Sequence, residues 1–377
     1  MPGKTSRTRD TAFMAQALRL ASKGRGFTSP NPMVGAVVVA KGRIVGRGYH
    51  PRVGGPHAEV VALRQAGRRS RGATLYLSLE PCSHTDKRTP PCVPLILRSG
   101  VRRIVVAMRD PNPKVSGRGL RALKKAGLDV QLGSLGEEAE QLNAAYCQWQ
   151  RIGRPLVTLK AGMTMDGKIA TAGGESQWIT GSEARRHAHR LRSQMDAVMV
   201  GIGTVREDDP RLTARLARTV RQPLRVVVDS RASIPLRAKV LSPALRAGTL
   251  VAVTDRAPAH RIARLRRLGV NVLKLKAANG RVPLGPLLKT LGRLAVTTVL
   301  IEGGSELNAA AVRAGFVDRV VLYVAPRLLG GQDAKAVIGG RSPIRIGQAL
   351  PLIDVTVRRL GSDLLIEGTV GRRPARL

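Results

Sequence analysis

The chain has 377 residues, 43% of them hydrophobic, so two domains with sizeable cores are expected. Its formal net charge is +39, but the arginines are spread along the chain and aromatics make up only 2%, which disfavours a nucleic-acid stacking platform and favours a solvated basic surface suited to phosphate-bearing substrates. Three cysteines give no disulfide framework, and neither a membrane-length apolar run nor a signal-peptide core is evident; cytoplasm is the expected location.

The first predicted element is an amphipathic helix over 11–23, with Phe13, Met14, Ala17, Leu18 and Ala21 on one side. Apolar runs Val37 to Ala40 and Ile44 to Tyr49 flank Lys41-Gly42 and read as a hairpin. Asn31 stands between two prolines on a stiff loop, where its amide either grips a polar ring or caps the turn. A helix runs from His57 to Ala66, a strand from Thr74 to Leu79, and a helix follows Pro91-Cys92. Arg103 to Met108 is a strand, Gly119 to Ala126 a helix, Leu128 to Leu132 a strand and Leu135 to Gln150 one long helix that takes in Cys147 as a core residue. Strands alternating with helices imply an α/β layer structure, with a largely parallel sheet after the first hairpin.

The chemistry of this half is concentrated between His57 and Cys92. His57, Cys82 and Cys92 supply one imidazole and two thiolates, a set that suits zinc and leaves a fourth position open. Glu59, two residues past His57, is placed to shuttle protons, as in the H-x-E…P-C signature of zinc deaminases. Zinc takes the pKa of water from ~15.7 to roughly 7, and at about 1.36 kcal/mol per unit this lowers the cost of the nucleophile by about 12 kcal/mol. The competing reading is a closed structural site with His84 as fourth ligand, but closed sites favour cysteines two to four residues apart, and here nine residues intervene.

Arg151 to Pro155 breaks the helical pattern and marks the junction, giving domains 1–152 and 153–377. In the second half, strands are predicted at Leu156 to Lys160, Asp196 to Val200, Leu224 to Val228, Thr249 to Val253, Val270 to Leu275, Val296 to Ile301 and Arg319 to Ala325, with two more near Val355 and Leu364. Helices are predicted over Ser182 to Gln194, from Ser305 to Ala314, and over Leu284 to Leu294, the last with leucines 284, 287, 288, 291 and 294 on one face. Strand–Gly303-Gly304–helix has the form of a phosphate-binding turn. Gly201-Ile202-Gly203 begins like a dinucleotide fingerprint, yet Arg206 stands where the third glycine belongs, which rejects an ordinary Rossmann domain. Two glycine-lined strand ends still suit a dinucleotide held between them, the alternative being that both are only tight turns.

Taken together, the motifs resemble those of the bifunctional deaminase–reductase family of riboflavin biosynthesis. In the first half the resemblance rests on Asn31 to Ala36, His57-Ala58-Glu59, Glu80-Pro81-Cys82-Ser83-His84, Thr89-Pro90-Pro91-Cys92 and Arg109 to Pro113. In the second it rests on Met165 to Lys168, Gly174 to Thr180, Asp208-Asp209-Pro210 and Ile301 to Gly304. The cysteine loop departs from the family's pattern at Thr85 to Arg88, leaving the metal ligands intact and either Lys87 or Arg88 as the phosphate holder. The resemblance implies a cytidine-deaminase-like domain followed by a dihydrofolate-reductase-like one. It implies one Zn2+ in the first and NADPH in the second, and two consecutive reactions on phosphorylated pyrimidines. It further implies that Asn31, His50 and His84 face the deaminase substrate, and that Ser176, Arg192, Leu212, Arg215 and Glu302 face the reductase substrate, with Arg192 and Arg215 clamping its phosphate. The positions matching NADPH are Gly162, Trp178, Thr204, Asp208, Ser230 and the run Gly304, Ser305, Glu306, Leu307, Asn308, Ala309, Ala310. Lys160 and Asp208 are candidates to protonate the opened sugar. No nucleic-acid or membrane partner is expected, and a homo-oligomer is.

Overall fold

A computed structural model of the chain describes residues 4–83, 90–217 and 220–371. It divides into two compact units, Met1–Gly153 and Arg154–Leu377.

The first unit contains α1 (Lys4–Ser22), β1 (Gly35–Ala40), β2 (Arg43–Tyr49), α2 (Ala58–Ala66), β3 (Thr74–Leu77), α3 (Cys92–Arg98), β4 (Arg103–Val106), α4 (Arg118–Lys125), β5 (Asp129–Leu132), α5 (Gly136–Leu142) and α6 (Ala144–Ile152). Its five-stranded sheet has the order β2-β1-β3-β4-β5, antiparallel through β3 and parallel thereafter. Alternation along the strands splits the core between two faces. Ala36, Val38, Leu75 and Ile104 pack against α2, α3 and α4, whereas Val37, Val39, Tyr76 and Val105 pack against α1, α5 and α6. Glycine at position 48 of β2 is required by this packing, because a side chain there would run into the Ala58 carbonyl. The first turn of α2, which carries Glu59, therefore lies directly on the strand.

The helix expected over 135–150 is two helices. Asn143 breaks it: its amide leaves the helical pattern to accept from Met33 N at 2.8 Å and donate to Met33 O at 3.0 Å. A buried clamp on a distant loop outweighs continuity of the helix here.

The second unit contains β6 (Leu156–Thr164), β7 (Lys168–Ala170), α7 (Ser182–Ser193), β8 (Ala197–Gly201), α8 (Ile202–Asp208), β9 (Leu224–Val228), β10 (Thr249–Thr254), α9 (Ala259–Arg267), β11 (Asn271–Leu275), α10 (Leu284–Arg293), β12 (Thr298–Ile301), α11 (Ser305–Arg313), β13 (Arg319–Ala325), β14 (Lys335–Ala336), β15 (Leu352–Leu360) and β16 (Asp363–Val370). Nine strands form one sheet in the order β11-β10-β9-β8-β12-β6-β13-β16-β15. It is parallel from β11 to β13 and closes with an antiparallel hairpin. This order, closed by an antiparallel hairpin, is not that of a Rossmann domain and agrees with the dihydrofolate-reductase-like domain expected. Leu159, Met199 and Val226 pack on one face against α10 and α11; Val198, Val227 and Val251 pack on the other against α8 and α9.

Leu294 does not join the buried leucine face of α10. The helix ends at Arg293, and Leu294 is 57% exposed. Strands β8 to β11 progress outward in one direction, while β12 returns to lie between β8 and β6. The chain thus reverses between β8 and β12, and a crevice opens at the carboxyl ends of parallel strands at such a reversal. Glu302 and Gly303 follow β12 and Ile202 follows β8, so both glycine turns lie at this crevice.

Candidate active sites

In the first unit the donor atoms of His57, Cys82 and Cys92 lie within 4.8 Å of one another. Each is placed by the end of an element. His57 is the residue before α2, Cys82 follows β3, and Cys92 opens α3. The nine intervening residues do not separate the cysteines, because Cys92 N donates to Cys82 O at 3.0 Å and approaches Cys82 Sγ at 3.4 Å. His57 Nδ1 lies 3.1 Å from Cys92 Sγ and 3.6 Å from Cys82 Sγ. One imidazole nitrogen and two sulfurs converging on a point are a set that fits zinc.

A cavity of about 570 Å³ opens beside this cluster, and Glu59 lines it with His57 and Cys82. The Glu59 side chain is buried; burial, and then the Cys82 sulfur beside it, push its carboxyl above the ordinary carboxylate range. Asn31 and His50 line the same cavity. His50 Nδ1 donates to the Pro56 carbonyl at 3.0 Å, so its Nε2 accepts from Asn31 Nδ2 at 3.2 Å. Burial keeps this imidazole below the usual histidine range, and hence neutral. His84, together with Lys87 and Arg88, lies outside the described residues.

Two carboxylates that the motif reading left without roles shape this cavity. Asp110 lines it, buried, with its carboxyl pushed up to about 6 by burial even though Asn112 N and Tyr146 Oη both donate to it at 2.9 Å. Glu80 accepts from Gly117 N at 2.8 Å, Gly119 N at 3.0 Å, and Leu120 N and Asp110 N at 3.3 Å. It holds the loop from Asp110 to α4 against the cavity wall. The only signal in the sequence was a glutamate directly before Pro81-Cys82, and nothing local reveals that its partners lie 30 to 40 residues on.

Two cavities of the second unit are lined by described residues. The smaller, about 560 Å³, brings together Ser176, Arg192, Leu212, Arg215 and Glu302. Gly162, Trp178, Thr204, Asp208 and Gly304 line it as well. Arg192 donates to Glu302 through Nε at 2.6 Å and Nη2 at 2.8 Å, and Lys160 Nζ reaches the same carboxylate at 3.5 Å. With its fork committed to Glu302, Arg192 turns Nη1 to Thr213 O at 3.1 Å. Ser176 Oγ donates to Asp208 Oδ1 at 2.8 Å. Leu212 sits in the left-handed region at φ 54° and is buried, a conformation costly for leucine. The Arg185 guanidinium stacks 4.5 Å above the Trp178 ring.

The larger cavity, about 910 Å³, is lined by Ser230, Ser305, Glu306, Leu307 and Ala310, with Arg206, Arg231 and Arg281 also on its wall. Asn308 and Ala309 are buried at 0% and 1% exposure and are not part of that wall. Asn308 Nδ2 donates to Val337 O at 2.9 Å, while its buried Oδ1 has no hydrogen-bond partner among the described residues. Glycine turns that admit a close backbone approach, the N-terminus of α11 and a wall of arginines fit a nucleotide cofactor.

These two units define a zinc-binding deaminase domain joined to a nucleotide-dependent reductase domain. Comparison with known proteins agrees. Residues 7–108 match the cytidine and deoxycytidylate deaminase zinc-binding region, and residues 155–366 match the RibD C-terminal domain. The riboflavin biosynthesis protein RibD of Aquifex aeolicus is 44% identical over 95% of this chain and 97% of its own length. The solved structure of Acinetobacter baumannii RibD superposes with a TM-score of 0.88 at 39% identity, covering 97% of this chain and all of that one. A Thermotoga maritima protein described as a diaminohydroxyphosphoribosylaminopyrimidine deaminase/5-amino-6-(5-phosphoribosylamino)uracil reductase superposes at 0.84 with 34% identity, covering 97% of this chain and all of that one. The chain belongs to the RibD family, the bifunctional deaminase–reductases of riboflavin biosynthesis.

Proposed function

We propose that the chain catalyses two consecutive reactions. The first is hydrolytic deamination of 2,5-diamino-6-(5-phosphoribosylamino)pyrimidin-4(3H)-one in the His57/Cys82/Cys92 cavity. The second is NADPH-dependent reduction of 5-amino-6-(5-phosphoribosylamino)uracil to the ribityl product in the Arg192/Glu302 cavity. The observation that carries the reading is the convergence of three zinc-type donor atoms within 4.8 Å, beside a buried carboxylate, in a cavity of about 570 Å³.

His57, Cys82 and Cys92 hold the zinc, which when bound makes water acidic enough to serve as a nucleophile near neutral pH. Glu59 is the catalytic proton carrier, taking a proton at its carboxylate and handing it to the departing ammonia. Neutral His50 and Asn31, locked to each other, orient the pyrimidine. Keeping two thiolates reduced suits the cytoplasm. Among the described residues no helix is long and apolar enough to cross a membrane.

In the reductase unit, Gly162, Thr204, Asp208, Ser230 and the wall residues of the first turns of α11 receive NADPH, and Ser176, Leu212, Arg215 and Glu302 receive the pyrimidine. Most of them act by position, since hydride transfer needs donor and acceptor carbons in near-attack geometry. Arg192 is assigned to orient Glu302, which leaves Arg215 as the freer phosphate clamp. Lys160 and Asp208 are the two groups placed to supply the proton that accompanies hydride transfer. The protein is proposed to act as a homo-oligomer through β15, an edge strand on which Ile353, Val355 and Val357 are 50%, 50% and 59% exposed.

The test is to supply the diaminopyrimidine to the zinc-loaded protein with and without NADPH. Ammonia is released in both cases, and NADPH is consumed only after it. Absence of ammonia from zinc-loaded protein overturns the deaminase assignment; ammonia without NADPH oxidation overturns the reductase one.

A further inference from the structure

The two cavities of the reductase unit share four lining residues: Thr204, Glu207, Gly304 and Lys335. These mark a waist between the arginine-walled outer cavity and the inner one that holds Glu302. Two polar contacts join the elements at the waist. Gly304 N donates to Thr204 Oγ1 at 3.1 Å, tying the turn before α11 to α8. Lys335 Nζ meets Glu207 Oε1 at 2.8 Å, tying β14 to α8.

The second contact is poorly explained by stability. Its side chains are 37% and 48% exposed, and an ion pair so open to water contributes about 0–1 kcal/mol. It fastens a two-residue strand that, among the described residues, pairs only with β7, outside the main sheet. Such a pair opens at little cost. Its position matters more than its strength. A ligand that reaches from the arginine wall into the inner cavity crosses the waist with its middle, and the middle of a dinucleotide is a pyrophosphate. There it meets one ammonium and one carboxylate that are bound to each other.

We propose that Lys335 is a cofactor-positioning residue that holds the pyrophosphate of NADPH, and that Glu207 is its built-in competitor. The cofactor binds by exchange: the Lys335 ammonium leaves the Glu207 carboxylate for phosphate oxygens. The inference rests on the NADPH reading above and goes beyond it by naming the residues that set affinity at the waist. Exchange makes a demand that a merely structural ion pair does not. Removing either partner of a structural pair harms the same thing. Here removal of Lys335 weakens cofactor binding, while neutralising Glu207 frees the ammonium, lifts a repulsion from the phosphates and strengthens it.

The experiment is equilibrium titration of the full-length protein with NADPH, followed by calorimetry, for wild type, K335M, K335R and E207Q. A charge-assisted phosphate contact is lost in K335M, so its Kd rises by about tenfold, K335R stays within about threefold of wild type, and E207Q binds roughly threefold more tightly. Titration with 2′-AMP, which has no pyrophosphate, gives the same Kd in all four. Shifts of the same sign in K335M and E207Q, or a 2′-AMP affinity that falls in parallel with that for NADPH in K335M, overturn the assignment of Lys335 and leave the cofactor reading standing. Failure of the wild-type protein to bind NADPH overturns the cofactor reading, and this inference with it.

Discussion

The guanidinium of Arg192 grips the carboxylate of Glu302 through two parallel hydrogen bonds, of 2.6 and 2.8 Å, where the side chains are only 14% and 6% exposed. Burial by itself raises the Glu302 carboxyl, but the Arg192 and Lys160 charges outweigh it and draw it down to about 2. An acid whose folded pKa lies below its ordinary value of 4.5 contributes stability above that value and loses it as pH falls. The reductase unit is therefore expected to lose urea resistance between pH 4.5 and pH 2, and Glu302→Gln removes this component of the slope. Two matching acid profiles would contradict the role given to the pair.

Truncating one partner is more damaging than acid. Arg192→Met leaves a buried carboxylate without its fork, at a cost of about 3–5 kcal/mol. Arg192→Lys keeps the charge but loses the bidentate geometry, and falls between the two. Chemical denaturation of the reductase unit orders the three proteins, and a variant as stable as wild type shows the pair to be dispensable.

Cys92→Ser removes one of three converging donors. Bound zinc, measured by atomic absorption after dialysis, is expected to drop well below one per chain, with ammonia release lost alongside it. When the deaminated pyrimidine is supplied directly, NADPH oxidation stays within about twofold of wild type, because the reductase unit has its own core and the site is remote from it in sequence. Retention of stoichiometric zinc would mean that the cluster is not the metal site.

Glu59→Gln separates metal binding from proton transfer. The amide is close in shape but cannot take up and release a proton at neutral pH. Zinc content is expected to be kept, and ammonia release to fall by roughly 10²- to 10⁴-fold. Loss of zinc together with activity would point to a structural role instead.

Glu80→Ala tests a residue whose carboxylate is committed to backbone N–H groups. Four backbone N–H groups lose their acceptor, and each buried orphan costs about 1–3 kcal/mol before relaxation and water reduce the sum. The deaminase unit should melt earlier, and its KM for the pyrimidine should rise as the Asp110 loop loosens. An unchanged KM in a correctly folded variant would detach Glu80 from the cavity.

What could be read from the sequence follows how local each feature is. The zinc donors were legible because donor type and neighbouring prolines are properties of short segments, and the parallel strands because Leu224 to Val228 and Thr249 to Val253 are unbroken apolar runs. The structure brings nearly all the reductase positions drawn from the motifs to its two cavities, with Asn308 and Ala309 lying behind the wall. Features that depend on remote partners were not legible. Asn143 breaks a helix to clasp Met33, 110 residues away, and Lys335 meets Glu207 across 128. Helix α9 was missed for a different reason: it is rich in arginine and buries only Ile262 and Leu265, too few apolar positions to show a helical period.

The exposed face of β15 carries the last prediction. Among the described residues β15 pairs only with β16, which leaves its other edge open. Asp354, Arg358, Arg359 and a bulge between Ile353 and Thr356 restrict pairing along this edge, yet the β-branched side chains of Ile353, Val355 and Val357 stand in solvent. Pairing with the same strand of a second copy would both close the open edge and cover Val355 and Val357, which share a face beyond the bulge. Val357→Lys places a charge beside Val355 without touching the core. Sedimentation is expected to show wild type as a homo-oligomer and the variant shifted toward smaller species, with its far-ultraviolet circular dichroism unchanged. A wild-type protein that sediments as a monomer at micromolar concentration removes this role for the strand.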